Sequence, residues 1–241
     1  MTSISVISVV KNAASCIERC ITSVLEQTYK NVEYLVIDGD SKDGTMDVIS
    51  RYLENIDLVI SEPDGGIYHA MNKGVSLATG DYVYFLNSDD YFCDKNVIAD
   101  VANAIRLNPS VDLVYGDILL RNGDQLTRKP QVPILSRETL CRSGFSHQSL
   151  FAKRDLFERV GQFSLDYSIV ADGDWLARTL AAKASSLHIN RDIAIFSMGG
   201  FSTTRDIWRK EKKKFFRENF TRWERLKWRK LPGLLGRNRK F

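Results

Sequence analysis

The first half of the chain alternates between short apolar runs and segments whose apolar residues recur at helical spacing. Four of the runs have the length and composition of buried strands: Ile4–Val10, Val32–Ile37, Leu58–Ser61 and Tyr82–Leu86. Alternation of strand and helix predicts a parallel sheet with right-handed crossover connections, covered by helices. Ligands of such sheets bind beyond the carboxyl ends of the strands, so the residues that follow each strand are the first candidates for a functional site.

The second half of the chain has a different pattern. Leu113–Arg121 and Gln125–Lys129 flank the turn sequence Asn122-Gly123 and predict an antiparallel hairpin. The stretch from Pro130 to Ser149 is rich in isolated polar residues and is predicted to be a loop. The remaining predicted elements are one strand and two helices: Leu150–Ala152, Asp155–Val160 and Asp172–Ala182. We therefore predict one α/β domain over residues 1–204, with a mostly parallel central sheet flanked by helices.

The net charge of +4 conceals an asymmetry between this domain and the rest of the chain. Residues 205–241 hold 15 Lys/Arg and 4 Asp/Glu, a net charge of +11, whereas the first 204 residues have a net charge of −7. Apolar residues of this tail recur at helical spacing: Trp208, Phe215, Phe216, Phe220, Trp223 and Leu226. We predict a basic amphipathic helical tail that binds an anionic membrane surface. Packing against the body is the alternative, and nucleic-acid binding is disfavoured.

Other features of the composition bear on the compartment. The chain starts with a strand pattern rather than a signal peptide, and no apolar run approaches the roughly 20 residues of a membrane-spanning helix. The four cysteines show no zinc-site spacing and are expected to be reduced thiols: Cys16, Cys20, Cys93 and Cys141. We expect a cytoplasmic protein that the tail can hold at the inner face of the plasma membrane.

Polar and acidic residues follow three successive predicted strands. Asp38 comes directly after the second strand, Asp64 follows the third, and Asn87-Ser88-Asp89-Asp90 follows the fourth. Because the carboxyl ends of parallel strands meet at one edge of a sheet, these side chains are expected to lie on one rim. Clustered carboxylates repel one another unless a cation or hydrogen-bond donors offset the charge, and a divalent metal ion suits such oxygen ligands. Each segment alone is also a common turn sequence, so the prediction depends on the set.

Three classes of site can be set aside. Asp38–Gly44 is not a calcium loop, because Lys42 occupies its fifth position and Ile49 its twelfth. Val10–Ala14 contains no glycine, which excludes a dinucleotide-binding turn and a P-loop after the first strand. The same segment disfavours a metal-dependent nucleotidyltransferase, our first alternative. A non-enzymatic membrane-surface adaptor, our second, would explain the tail but not the three acidic segments.

A set of motifs in this order resembles those of the family 2 glycosyltransferases of the GT-A fold. The motifs are Ile4–Asn12, Gln27-Thr28-Tyr29, Asp38–Thr45, Glu62–Tyr68, Ala70–Gly74, Ala78–Asp81 and Phe85–Asp90. The resemblance implies a GT-A-like α/β fold and inverting transfer of a sugar from a nucleotide-diphosphate donor to an acceptor hydroxyl. Relatives of this kind build bacterial surface polysaccharides, so the expected acceptor is a glycan or a lipid-linked glycan.

The resemblance also implies roles for the matching residues. The expected donor-binding residues are Val10, Asn12, Asp38, Asp64, Lys73, Asn87, Ser88 and His147, with Asp38 on the base. Asn87-Ser88-Asp89 matches the family's acid-any-acid motif, whose last residue binds Mn²⁺ or Mg²⁺ between the two phosphates. Asn87 replaces the first acid, so Asp89 is expected to be the main metal ligand, with Asp90 assisting.

The family's acidic motif at a helix start matches Ala171–Asp174, and the resemblance implies that Asp172 deprotonates the acceptor hydroxyl. An alternative reading is that Asp172 and Asp174 only cap the helix and favour its dipole. His147 has a similar alternative, since a lone histidine is often a hydrogen-bonded structural residue.

Overall fold

The computed structural model describes residues 1–198 and 205–230, so residues 231–241 of the predicted tail lie outside the described residues. The strands are β1 (Ile4–Val10), β2 (Val32–Asp38), β3 (Leu58–Ser61), β4 (Tyr82–Phe85), β5 (Tyr91–Phe92), β6 (Leu113–Asn122), β7 (Gln125–Lys129), β8 (Leu150–Lys153) and β9 (Ser186–Ser197). The helices are α1 (Ile17–Leu25), α2 (Thr45–Ser50), α3 (Ile67–Leu77), α4 (Val97–Leu107), α5 (Arg137–Ser143), α6 (Leu156–Arg159), α7 (Ala171–Ala181), α8 (Arg205–Asn219) and α9 (Arg222–Lys230). Short 3₁₀ turns cover Leu53–Asn55 and His147–Ser149.

The described strands form one sheet in the order β3-β2-β1-β4-β8-β6-β9-β5, with β7 paired to β6. The first four strands in this order are parallel, as predicted, and their register brings Val10 opposite Asp38 and Asp38 opposite Ser61. Beyond β4 the sheet is mixed, because β8 runs antiparallel to both of its neighbours while β6 and β9 are parallel. The α/β architecture is confirmed, and the parallel arrangement is confined to part of the sheet.

Both faces of the sheet are covered, and β1 shows how the sequence fills both cores. All seven of its residues are buried, and successive side chains of a strand point to opposite faces. Ile4 and Val6 therefore join the core that contains α1 and α4, whereas Ile7 and Val9 join the core that contains α3 and α7. A strand buried on both faces is predominantly apolar, which is why the sequence pattern identified it. The hydroxyls of its two buried serines, Ser5 and Ser8, have hydrogen-bond partners in Glu33 and Tyr34.

Three of the described strands and helices were not expected from the sequence, the shortest being the two-residue strand β5. α5 lies in the stretch predicted as loop. Its capping box uses Thr139 in place of the usual Glu or Gln, because Thr139 Oγ1 accepts from the Ser136 N–H while Ser136 Oγ accepts from the Thr139 N–H. β9 is a long strand whose centre is polar, and a break in its register with β6 falls near Asp117 and Asp192. Its pattern therefore resembles neither a buried nor an alternating strand.

The described part of the basic tail is helical, as predicted, but it is divided into two helices, and it packs on the body. Phe215 and Phe220 are 7% and 2% exposed and belong to the same core as Trp175 of α7. Asn219 Nδ2 donates to Asp174 at 2.8 Å, which fastens the end of α8 to α7. Packing was the alternative to membrane binding, and it accounts for this face of α8. The domain boundary at residue 204 stays a prediction.

The remaining tail residues are more accessible. Trp208 is 39% exposed, Trp223 is 82% exposed and Leu226 is 49% exposed. Within the described residues, no helix combines the length and apolar character that crossing a membrane requires.

Candidate active site

A cavity of about 1230 Å³ lies at the carboxyl ends of β1 and β4 and is also lined by α3, α7 and α8. Eight of the eleven site residues proposed from the sequence line it: Val10, Asn12, Asp64, Asn87, Ser88, Asp89, His147 and Asp172. These residues come from both halves of the chain, and the fold brings them to one cavity. The other three, Asp38, Lys73 and Asp90, do not line it.

The loop after β1 is tied to the loop after β2 through Asn12. The backbone of Asn12 has a φ of 50°, a left-handed conformation that asparagine tolerates better than most residues. The Asn12 N–H donates to Ser41 Oγ at 2.7 Å, and Asn12 Oδ1 accepts from the Lys42 N–H at 2.9 Å. The loop after β1, which lines the cavity, is therefore braced by the loop after β2, none of whose described residues lines it.

Asp38 is the last residue of β2 and is fully buried. Its Oδ2 accepts from the Ser41 N–H at 3.0 Å and from Ser61 Oγ at 2.7 Å, so the carboxylate joins the loop after β2 to the end of β3. Next to it, a Cβ on Gly39 would come within 2.5 Å of Asp64 Oδ2, so glycine permits the close approach of Asp64. The role of Asp38 in binding the donor base stays a prediction.

Lys73 lies on α3 outside the cavity lining, where its ammonium forms an ion pair with Glu62. The hydrogen bond from Lys73 lowers the pKa of the Glu62 carboxyl. The predicted contact between Lys73 and a donor is not tested by this arrangement.

The loop after β4 carries the expected metal ligands and is held by the end of β9. Ser197 donates from its N–H to Asp90 Oδ1 at 3.0 Å and from its hydroxyl to the Asp89 carbonyl at 2.7 Å. Burial raises the pKa of Asp89. Asp90 is 1% exposed, and burial, together with the charge of Asp89, raises its pKa to about 7. Both carboxylates are poorly hydrated, so a nearby cation would favour their charged forms.

The oxygen atoms of this loop fit a divalent cation. Asp89 lines the cavity, and Asn87 Oδ1 and Asp90 Oδ2 are buried atoms that have no hydrogen-bond partner among the described residues. Within those same residues, no group of three or more His, Cys, Asp or Glu could hold a metal ion. A cation here would take its other ligands from phosphate oxygens and water, as Mg²⁺ does in sites with few carboxylates.

Asp172, in the first turn of α7, is the centre of a second group of hydrogen bonds at the cavity. Asp172 Oδ2 lies 3.0 Å from His147 Nδ1. Asp172 Oδ1 accepts from the Gly173 N–H at 2.8 Å and lies 3.2 Å from the Tyr68 hydroxyl. These contacts fix the orientation of the carboxylate at the edge of the cavity.

A hydrogen-bonded chain continues from His147 to Asn87 in the loop after β4. His147 Nε2 lies 3.4 Å from Asn87 Nδ2, and an Nδ1–H tautomer satisfies both contacts, donating to Asp172 and accepting from Asn87. This arrangement leaves Asn87 Oδ1 directed away from His147. The turn that carries His147 is itself anchored by the Tyr84 hydroxyl, which donates to the Gln148 carbonyl at 2.6 Å.

Two residues at this site received no role from the sequence. Tyr68 lay inside a quoted motif, yet its contact with Asp172 depends on how α3 meets α7. Glu211 of α8 accepts from the backbone N–H groups of Ser168 at 2.7 Å, Ile169 at 2.8 Å and Val170 at 3.2 Å. It therefore caps the turn that leads into α7. Glu211 is more than 40 residues away from that turn in the sequence, so no local sequence pattern predicts the contact.

Comparison with known proteins agrees with the resemblance. The model of the family described as glycosyl transferase family 2 matches residues 5–173. The chain belongs to this family. A PGL/p-HBAD biosynthesis glycosyltransferase of Mycobacterium tuberculosis is 31% identical to this glycosyltransferase over 212 residues, covering 83% of its chain and 79% of the relative. An uncharacterized glycosyltransferase of the same species is 33% identical over 180 residues, covering 73% and 68% of the two chains.

Solved structures share the fold of this glycosyltransferase. S. aureus TarS 1–349 in complex with UDP-GlcNAc aligns with a TM-score of 0.72 at 17% identity, covering 92% of this chain and 69% of that one. The same TarS fragment in another crystal structure aligns over only 60% of its length. The Pyrobaculum calidifontis mannosyltransferase PcManGT, in complex with GDP-Man and Mn²⁺, gives a TM-score of 0.66 at 20% identity, covering 89% and 62%. The GT-A-like fold predicted for this chain is confirmed.

Proposed function

We propose that this family 2 glycosyltransferase moves a sugar from a nucleotide-diphosphate donor to an acceptor hydroxyl, with inversion at the anomeric carbon and with Mn²⁺ or Mg²⁺. One observation carries the proposal: Asp89 and Asp172 line the same cavity from opposite halves of the chain. The UDP-GlcNAc complex of TarS and the GDP-Man and Mn²⁺ complex of PcManGT, two proteins of similar fold, support a nucleotide-sugar donor and a divalent ion.

The donor lies against the ends of β1 and β4, where Val10, Asn12, Asp64 and Ser88 line the cavity. Asp89 and Asn87 Oδ1 would hold the metal ion, with Asp90 assisting from its buried position. The ion, when bound, stabilises negative charge on the diphosphate as it leaves. Asp90 is buried and Asp89 is partly buried, and charges at such positions interact more strongly than in bulk water.

Asp172 takes the proton from the acceptor hydroxyl. As the acceptor oxygen bonds to the anomeric carbon, the bond from that carbon to phosphate breaks, and the nucleoside diphosphate leaves with the electron pair. Inversion requires the base and the leaving phosphate to be on opposite faces of the sugar. His147, Tyr68 and the Gly173 N–H hold the Asp172 carboxylate in one orientation, which lowers the entropic cost of this geometry.

A donor-binding experiment tests this function. We expect a nucleoside diphosphate, tested among UDP, GDP and their sugar derivatives, to raise the melting temperature in Mn²⁺, because a ligand of the folded state stabilises it. EDTA should remove the shift, and the transfer product should carry the opposite anomeric configuration to the donor by NMR. The absence of a shift with every nucleotide, with or without metal, would contradict the proposal.

The acceptor is a glycan, either lipid-linked or part of a growing surface polysaccharide, and the enzyme works at the cytoplasmic face of the membrane. The name of the mycobacterial relative, which places it in PGL/p-HBAD biosynthesis, supports a surface glycoconjugate. Exposed Trp223 and Leu226 on α9, within a tail of net charge +11, have the chemistry of a peripheral membrane contact.

Vesicle sedimentation tests the membrane contact. The full chain should bind vesicles of phosphatidylglycerol and phosphatidylcholine more tightly than pure phosphatidylcholine, since each Lys or Arg near an anionic surface adds about 1 kcal/mol. Trp223→Ala should weaken this binding several-fold, because it removes apolar area that inserts at the interface. Equal binding of both vesicle types, or of the variant and the native chain, would argue against it.

A further inference from the structure

The position of α8 relative to Asp172 is fixed by contacts on both sides of the base. Phe215 packs on α7, and a Cβ on Gly173 would be in ordinary van der Waals contact with its ring at 3.8 Å. Glu211 accepts three backbone hydrogen bonds from the turn before α7. The Tyr167 hydroxyl donates to Glu218 at 2.6 Å. This helix is therefore a wall of the acceptor side of the cavity.

One face of α8 presents aromatic side chains to the cavity. Trp208, Lys212 and Phe216 recur every four residues, so they lie along one side of the helix, and all three line the cavity. The Lys212 ammonium lies 4.1 Å from the centre of the Trp208 ring and 5.8 Å from that of Phe216. Cation–π contacts of this kind hold the indole in place with part of its surface still accessible.

The spacing along α8 sets how far Trp208 is from the base. It precedes Phe215 by seven residues, so at 1.5 Å per residue it lies roughly 10 Å farther along the helix from the contact with Gly173. A group stacked on the indole therefore belongs to a part of the acceptor beyond the ring that carries the reacting hydroxyl.

We propose that Trp208 forms an acceptor subsite, on which the second sugar ring of a glycan acceptor stacks. The proposal rests on the proposed function and names the acceptor as a glycan of at least two rings. One face of a pyranose ring presents C–H groups, which gain free energy when an apolar surface replaces water. A rigid indole supplies that surface at a small entropic cost, while the sugar hydroxyls stay at the polar edge.

Trp223 and Trp208 belong to the same tail but have different surroundings. Trp223 lies on α9, is 82% exposed and does not line the cavity. Membrane binding alone does not explain why Trp208 lines the same cavity as Asp172. The two residues therefore form a matched pair for an experiment, with the same side chain in the same tail and different surroundings.

The experiment uses p-nitrophenyl monosaccharides and disaccharides as acceptor probes, with the donor that the thermal-shift screen identifies. The native chain should favour disaccharides. Trp208→Ala should reduce the ratio of kcat/KM for disaccharide over monosaccharide about tenfold, mainly through KM, as expected for one lost stacking contact. Trp208→Phe should restore part of the ratio, and Trp223→Ala should leave it unchanged.

Several results would overturn the subsite. These are equal use of both acceptor lengths by the native chain, transfer to neither, or an unchanged ratio in Trp208→Ala. If metal-dependent donor hydrolysis persists in any of these cases, the proposed function stands while the subsite falls. Loss of vesicle binding in Trp208→Ala with no change in the ratio would assign the residue to the membrane instead. A native chain that neither binds nor hydrolyses any donor would contradict the proposed function itself.

Discussion

Replacing Asp172 by asparagine is expected to reduce kcat for sugar transfer by about 10³-fold, within the range that general base catalysis supplies. Asparagine keeps the size of the side chain and still accepts hydrogen bonds from the Gly173 N–H and Tyr68. It cannot accept the proton of the acceptor hydroxyl. Steady-state transfer kinetics at saturating donor measure the loss, and titration with the nucleoside diphosphate should show donor affinity close to that of the native enzyme.

Asp174→Asn is the matched control for this experiment. Asp174 lies in the same turn of α7, but its carboxylate accepts from Arg178 at 3.0 Å and from Asn219 at 2.8 Å. We expect it to lower the melting temperature and to leave most of kcat. A native-like kcat in Asp172→Asn, or an equal loss in both variants, would show that Asp172 only caps the helix.

Replacing Asp89 by alanine is expected to weaken metal-dependent donor binding by about 10²-fold and to reduce kcat further, because several kcal/mol of charge stabilisation depend on the ion. The remaining atoms, Asn87 Oδ1 and the buried Asp90, leave the ion with fewer hard oxygen ligands. Calorimetric titration of Mn²⁺ with UDP or GDP measures the binding, and activity across a Mn²⁺ series measures the catalytic effect.

Asp124→Asn serves as the control for this charge change, since Asp124 is exposed in the turn between β6 and β7. It should bind Mn²⁺ and donor like the native chain. If Asp89→Ala kept the native response to Mn²⁺, the metal assignment would be wrong, and Asp90 would become the next residue to replace.

The sequence predicted those parts of the fold in which burial leaves a regular pattern. β1 and β4 are predominantly apolar because both of their faces are covered. β9 was not predicted because its centre contains the polar residues His188, Asn190 and Asp192, whose hydrogen-bond partners lie on β6 and β7. In the tail, periodicity identified a helix, but the same apolar face suits a membrane or a protein core. Only the position of α7 settled that Phe215 and Phe220 are buried.

The candidate site was predictable to the extent that topology brings strand ends together. Residues after β1, β3 and β4 converge on one cavity for that reason. Asp38 did not follow the pattern, because it is the last residue of β2 and its side chain is covered by the loop that follows. The contacts of Tyr68 and Glu211 with the surroundings of Asp172 join segments far apart in the chain, and a single sequence carries no signal for them.

The residues proposed to carry out the reaction and the aromatic residues of α8 line the same cavity but come from different parts of the chain. Residues 5–173, which match the family, include the loop after β4, His147 and Asp172. Helix α8 lies beyond that segment. Substitutions in α8 can reshape the surface that meets the acceptor without touching a group that handles the donor. Descendants of one ancestral enzyme can thus diverge in what they decorate while inheriting the same reaction.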